Sequence, residues 1–270
     1  MRLRHHLGIW SALVGVYVLA LLLGLGYIRL RNPFRAKPVV WSAWQTPDSD
    51  NIPEGPLGDR IRYGSQIFDQ TPWYVPKYTG AMVSCTSCHI QGGIAPYSAP
   101  VVGMTRIYPT YNKRAGRVIS LRERIQECFV RSENGHPLPE DGPEMRALLA
   151  YIGWLSQPEP THQPFSGRGL IDLPPLQPDP ARGEKIYAVQ CAGCHGVNGE
   201  GSRPLMPPLW GPDSFNDGAG MDRISKMAPF VQYNMPQNRR GILSAQDAYD
   251  VSAFIHSKPR PKFNPAYTKY

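Results

Sequence analysis

The chain carries the same short motif twice, as Cys85-Thr86-Ser87-Cys88-His89 and as Cys191-Ala192-Gly193-Cys194-His195. No other feature constrains the fold as strongly. In C-x-x-C-H the two thiols add across the vinyl groups of a porphyrin, and the adjacent histidine binds its iron. Two covalently bound heme c groups are therefore expected, attached at Cys85, Cys88, Cys191 and Cys194, with His89 and His195 as proximal iron ligands. A chain wrapped around two porphyrins needs little apolar core of its own. The composition agrees, with 29 prolines, 26 glycines and only 41% hydrophobic residues in 270. Covalent heme attachment places these domains outside the cytoplasm, most simply in a bacterial periplasm. The formal charge of +8 is offset by heme propionates and is partly confined to the N-terminal segment. No basic-aromatic module accompanies it, so nucleic acid is excluded as a partner.

Leu7 to Ile28 is a run of 22 residues without a formal charge. As a helix it would be about 33 Å long, enough for a hydrocarbon core of roughly 30 Å. Residues 1–30 are thus expected to be a single N-terminal transmembrane anchor, a secretory signal being the other reading. The heme motifs require everything after it to be extracytoplasmic, which makes the chain an inner-membrane protein with periplasmic heme domains. Residues 31–58 hold five prolines and read as a spacer. Two units then repeat, at 59–156 and 181–258. Each has a glycine before a polar-polar-Ile-aromatic step (Gly64 and Gly183), as a helix closely crossing another needs. Each closes with an amphipathic helix, Glu144–Leu155 and Ser244–Ile255. Gly64 precedes Cys85 by 21 residues and Gly183 precedes Cys191 by eight, so the first unit carries an insertion, placed within Thr71–Gly80. Residues 157–180, with seven prolines, read as an extended linker, and 259–270 as a basic tail. The expected fold is mainly α: two class-I cytochrome-c-like domains joined by a Pro-rich linker.

Each heme has a second axial position to fill. In the second unit Met235, followed by Pro236 and the closing helix, stands where such a fold brings its methionine loop over the iron. Met206, also before a proline, is the runner-up, and Met221 and Met227 read as packing residues. A thioether ligand raises the potential, as suits an electron exit. The first unit has Met104 and Met145, but neither has the Met-Pro context. It has instead the fifth cysteine. Cys128 follows His89 by 39 residues, close to the 40 between His195 and Met235. Ser120 and Glu123 form a capping box for a helix starting at Leu121, which puts Arg124 and Cys128 on one face. Six basic residues and one acid lie between Arg106 and Arg124. An arginine run alone is usually a solvated face and a free cysteine a small buried hydrophobe. Together, at this spacing from a heme, they read as an anion pocket around a reactive sulfur.

With these segments in view the sequence resembles the diheme thiosulfate dehydrogenases. The resemblance runs from about Arg62 to the last helix. It is densest at Ala95–Pro100, Arg122–Phe129, Asn134–Pro139 and Gly218–Met221. It implies an oxidoreductase that joins two thiosulfates into tetrathionate, or runs the reverse reduction. It also implies His89 and Cys128 as the ligands of the active-site heme, Arg114 and Arg124 as substrate-binding cations, and Met235 on the second heme. Asn234 stands where some relatives have a ligand-exchanging lysine. The expected partners are thiosulfate and tetrathionate, and an electron acceptor such as a small cytochrome or a membrane-bound oxidase. The competing reading is a membrane-tethered diheme shuttle without its own substrate, for which Cys128 and its arginines would have no use.

Overall fold

The computed structural model describes residues 47–157, 167–202 and 206–270. The expected anchor at Leu7–Ile28 lies outside the described residues, as does most of the spacer. Among the described residues no helix is long and apolar enough to cross a membrane.

Among the described residues six longer helices form the framework: α1 (Pro56–Asp69), α2 (Leu121–Arg131), α3 (Pro143–Leu155), α4 (Pro180–Gln190), α5 (Ile224–Asn234) and α6 (Ala245–His256). Local chemistry fixes where they start. Proline occupies the first turn of α1, α3 and α4, where its missing N–H costs nothing. Asp179 caps α4 by accepting from the amides of Ala181 and Arg182. Ser120 with Glu123, and Ser244 with Asp247, close the two capping boxes expected for α2 and α6.

Both units pack their first helix across their last. A Cβ on Gly64 would lie 2.1 Å from the Ala147 carbonyl oxygen of α3, and one on Gly183 2.0 Å from the Asp250 carbonyl oxygen of α6. Neither crossing has room for any side chain, which is why both positions are glycine. Around α1 and α3 the core gathers Ile61, Ile67, Phe129, Met145 and Leu148, each at most 2% exposed. Met145 is thus a core residue.

Three features add to this plan. The first-unit insertion folds as a single helical turn at Thr71–Tyr74 and a 3-10 turn at Pro76–Tyr78. A two-stranded antiparallel hairpin, β1 (Thr110–Asn112) with β2 (Arg117–Ile119), precedes α2 in register Thr110 to Ile119. Nothing in the sequence pattern announced it. The described part of the linker is extended but not free, because Leu170, Leu173 and Leu176 pack on the second unit's core. That core also takes in Ile90 and Ala95 from the first unit. Met82 N–H donates to the Asp213 carbonyl at 2.7 Å, and Asn216 Nδ2 to the Val130 carbonyl at 2.9 Å. The described residues accordingly cluster as one compact unit.

Candidate functional site

Cys85 and Cys88 begin and end one helical turn, and His89 caps it. The Ser84 hydroxyl accepts from the backbone and the Ser87 hydroxyl returns the favour, which holds the two thiols on one side of the turn. His89 Nδ1 lies 2.5 Å from the Ala99 carbonyl oxygen. A carbonyl can only accept, so Nδ1 carries the proton and Nε2 is the free lone pair. Burial pushes the imidazole down to about 4, which keeps it neutral. This is the arrangement an iron-ligating histidine needs, with its other ring nitrogen fixed by a carbonyl.

A cavity of about 260 Å³ opens beside His89. Phe68, Val101, Ile125, Phe129, Leu148 and Ile152 give it apolar walls. Cys85, Cys88 and His89 share those walls with Cys128, Arg124 and Met104. Two thiols, a neutral histidine and apolar walls around one cavity fit a covalently attached heme. None of the five cysteines is paired in a disulfide. The carboxyl of Glu133 also reaches the cavity, with Oε1 3.9 Å from Cys85 Sγ and Oε2 buried without a partner.

The capping box of α2 sets the phase that brings Arg124 and Cys128 together one turn apart. Cys128, in its ionised form, would be the largest influence on Arg124; with Glu127 it holds the guanidinium above its ordinary range against burial. The reciprocal effect is outweighed. Burial pushes the Cys128 thiol up, against the pull of Arg124. Arg114 sits on the hairpin turn, exposed and outside the cavity lining. Asn112 builds that turn by accepting from the amides of Arg114 and Ala115 at 2.8 and 3.1 Å. Partial desolvation lowers Arg114, and the cations Arg223 and Arg124 lower it further, while Glu127 opposes them. Arg114 and Arg124 thus influence one another electrostatically, and Arg223, at the head of α5, acts on Arg114 as well.

Glu127 was not among the sequence candidates. It is 3% exposed, pairs with Arg124 at 3.2 Å, and accepts from Asn112 Nδ2 at 3.0 Å. It therefore ties α2 to the hairpin that displays Arg114. Helix phase offered a signal, since Glu127 is three residues after Arg124. Tyr108, Glu133 and Arg168 also line the cavity, and no local pattern marked them.

In the second unit His195 is buried, with Nδ1 2.9 Å from the Pro207 carbonyl oxygen. The segment following Met206 is thus engaged beside the histidine. Met235 caps the C-terminus of α5 and packs, partly buried, on the second unit's core. Met227 is a core residue at 4% exposure. Among the remaining histidines, His136 contacts the Tyr267 hydroxyl and His256 the Ser252 carbonyl, both structural contacts.

The chain matches the family model described as SoxA/TsdA, cytochrome c domain, over residues 73–161 and the cytochrome c model over residues 180–258. It is 41% identical over 227 residues to a thiosulfate dehydrogenase of Stutzerimonas stutzeri, covering 82% of this chain and 74% of the relative. A thiosulfate dehydrogenase of Allochromatium vinosum is 39% identical over 231 residues, covering 82% of this chain and 86% of that one. The solved thiosulfate dehydrogenase (TsdBA) of Marichromatium purpuratum superposes with a TM-score of 0.78 at 36% identity, over 83% of this chain. This chain spans 50% of that longer one. The paired heme motifs, the two cytochrome c domains and these likenesses place the chain in the thiosulfate dehydrogenase family, as a diheme oxidoreductase with two covalently bound heme c groups.

Proposed function

We propose that the protein oxidises thiosulfate at the first-unit cavity, joining two molecules through a new sulfur–sulfur bond: two thiosulfate dianions give one tetrathionate dianion and two electrons. The same site serves the reverse reduction. The observation that carries this reading is Cys128, with Arg124 one helical turn before it, on the wall of the cavity that holds His89. An electron shuttle needs no such group.

When bound, each heme c takes up one electron, so the pair holds both electrons of one turnover. Cys85 and Cys88 would attach the first heme, and His89 and Cys128 would be its iron ligands. Cys191 and Cys194 would attach the second, with His195 and Met235 on its iron. Cys128 is the sulfur presented to substrate. The chief obstacle to joining two thiosulfates is that both are dianions. Arg124 in the cavity and Arg114 on the hairpin supply positive charge against that repulsion, and a guanidinium binds such oxyanions through two parallel N–H donors. The apolar walls keep water away, which strengthens these charge interactions. Electrons leave through the second unit to a small cytochrome or a membrane-bound oxidase. Residues 1–30 would anchor the protein in the inner membrane with its heme domains in the periplasm.

Adding thiosulfate to the oxidised holoprotein and following the heme bands tests this directly, with tetrathionate assayed in the presence of an external acceptor. Cys128→Met is expected to fold and carry both hemes while losing turnover. Full activity in that variant would sink the assignment.

A further inference from the structure

The turn that holds His89 is itself held by the second unit. Ala99, whose carbonyl meets His89 Nδ1, sits at φ +51°, and Tyr97 at +55°. Two residues with side chains in the left-handed region so close together do not persist unless their surroundings impose it. Four contacts impose it. The linker accepts from the Tyr97 and Ala99 amides, through the carbonyls of Gly167 at 2.5 Å and Gly169 at 2.8 Å. The Tyr97 ring meets Tyr233 of α5 edge to face at 4.8 Å. The Tyr97 carbonyl accepts from Asn234 Nδ2 at 3.1 Å.

Asn234 is the last residue of α5, immediately before Met235. It is fully buried at 0% exposure. Its Nδ2 also donates to the Phe230 carbonyl at 3.1 Å, while its Oδ1 has no partner. A buried carboxamide with one orphaned oxygen is a costly choice for a helix end. Packing alone would be served better by an apolar side chain of that size.

We propose that Asn234 is a positioning residue coupling the two heme centres. Through the Tyr97–Ala99 turn it fixes the carbonyl that tunes His89, and it does so from the residue next to Met235. A carbonyl held at short range to Nδ1–H makes the imidazole a more basic ligand, which favours ferric iron. Slackening the turn weakens that bond and raises the potential of the first heme. The inference rests on His89 and Met235 as ligands, as proposed above.

The test is a spectroelectrochemical titration of the holoprotein that resolves both hemes. The wild type comes first. A thiolate-ligated low-spin signature for the first heme supports the ligand reading, and its absence would overturn that reading independently of the brace. Asn234→Leu then removes the donor and keeps the volume, and Asn234→Ser is a second variant should Leu fail to fold. The expected result is an upward shift of the first heme's midpoint potential, although the substituted residue lies in the second unit. A role confined to the second unit would move only the second heme. An unchanged or lowered first-heme potential in the folded variant overturns the proposal. Tyr233→Phe keeps the ring contact with Tyr97 and is expected to leave the first heme unshifted. An equal shift there would overturn the assignment to the carboxamide.

Discussion

Glu127 shows how one buried carboxylate can set the strength of an anion site. It is the ion-pair partner of Arg124 and the acceptor for Asn112, whose side chain shapes the turn carrying Arg114. On the proposed function the carboxylate therefore positions both cations and also competes with thiosulfate for Arg124. The two roles predict opposite outcomes. Glu127→Gln keeps the hydrogen-bond shape and removes the charge, so thiosulfate should bind more tightly and the apparent KM should fall. A rise in KM would show that positioning dominates. Arg124→Ala removes a charged donor worth about 1.5–3 kcal/mol, so KM should rise tenfold or more; an unchanged concentration dependence would remove Arg124 from the pocket. Helix phase alone put Arg124 and Cys128 on one face, and the structure brings both to one cavity wall, whereas Arg114 was named only by the family resemblance. Glu127 was half legible, lying on the same helix. Asn234 and Glu133 were not, because their roles depend on which distant backbone group each one meets.

The helices were the easiest elements to read, because proline, aspartate, serine and glycine mark their ends and crossings one residue at a time. The hairpin at Thr110–Ile119 was missed for a physical reason. Its strands are three residues each, and its exposed Tyr111 and Val118 give no alternating buried face. Its stability comes from Asn112 and from α2, not from its own pattern. The crossings support a sharper prediction. Gly64→Ala must push α1 off α3, and Gly183→Ala must push α4 off α6, since each new methyl would meet backbone oxygen near 2 Å. Overpacking of this kind costs about 1–3 kcal/mol. Thermal or denaturant unfolding of the holoprotein should register that loss in both variants. Melting temperatures equal to the wild type would mean that the helices can slide apart freely.

At the scale of the whole molecule, the surprise is how the two units are joined. The sequence read as two domains with an extended linker and a basic tail. The structure makes the tail a clamp. Phe263 packs under the Arg131 guanidinium at 4.0 Å, Arg131 Nη2 donates to the Tyr270 carbonyl at 2.7 Å, and Tyr267 meets His136. Residues after the last helix of the second unit thus hold the end of α2, the helix that carries Cys128. Asp217 anchors the clamp at its start, accepting from the Phe263 amide at 2.7 Å and pairing with Lys262 at 3.0 Å. The Phe263 N–H chiefly, and Lys262 after it, hold the Asp217 carboxyl below its ordinary value of 3.8. The sign follows from linkage. A carboxyl whose pKa is lower in the folded state adds stability above its unfolded value and loses it as pH falls through the folded one. Tail protection should therefore be complete at neutral pH and fade below about pH 4, while the covalently attached hemes remain in place. Hydrogen exchange at the Phe263 amide, followed from pH 7 down to pH 3, measures this. Asp217→Asn should exchange faster at neutral pH and lose the acid dependence, since its amide cannot gain or lose charge. A wild-type exchange profile in that variant, after correction for intrinsic rates, would show that Arg131 and Tyr267 hold the clamp without Asp217.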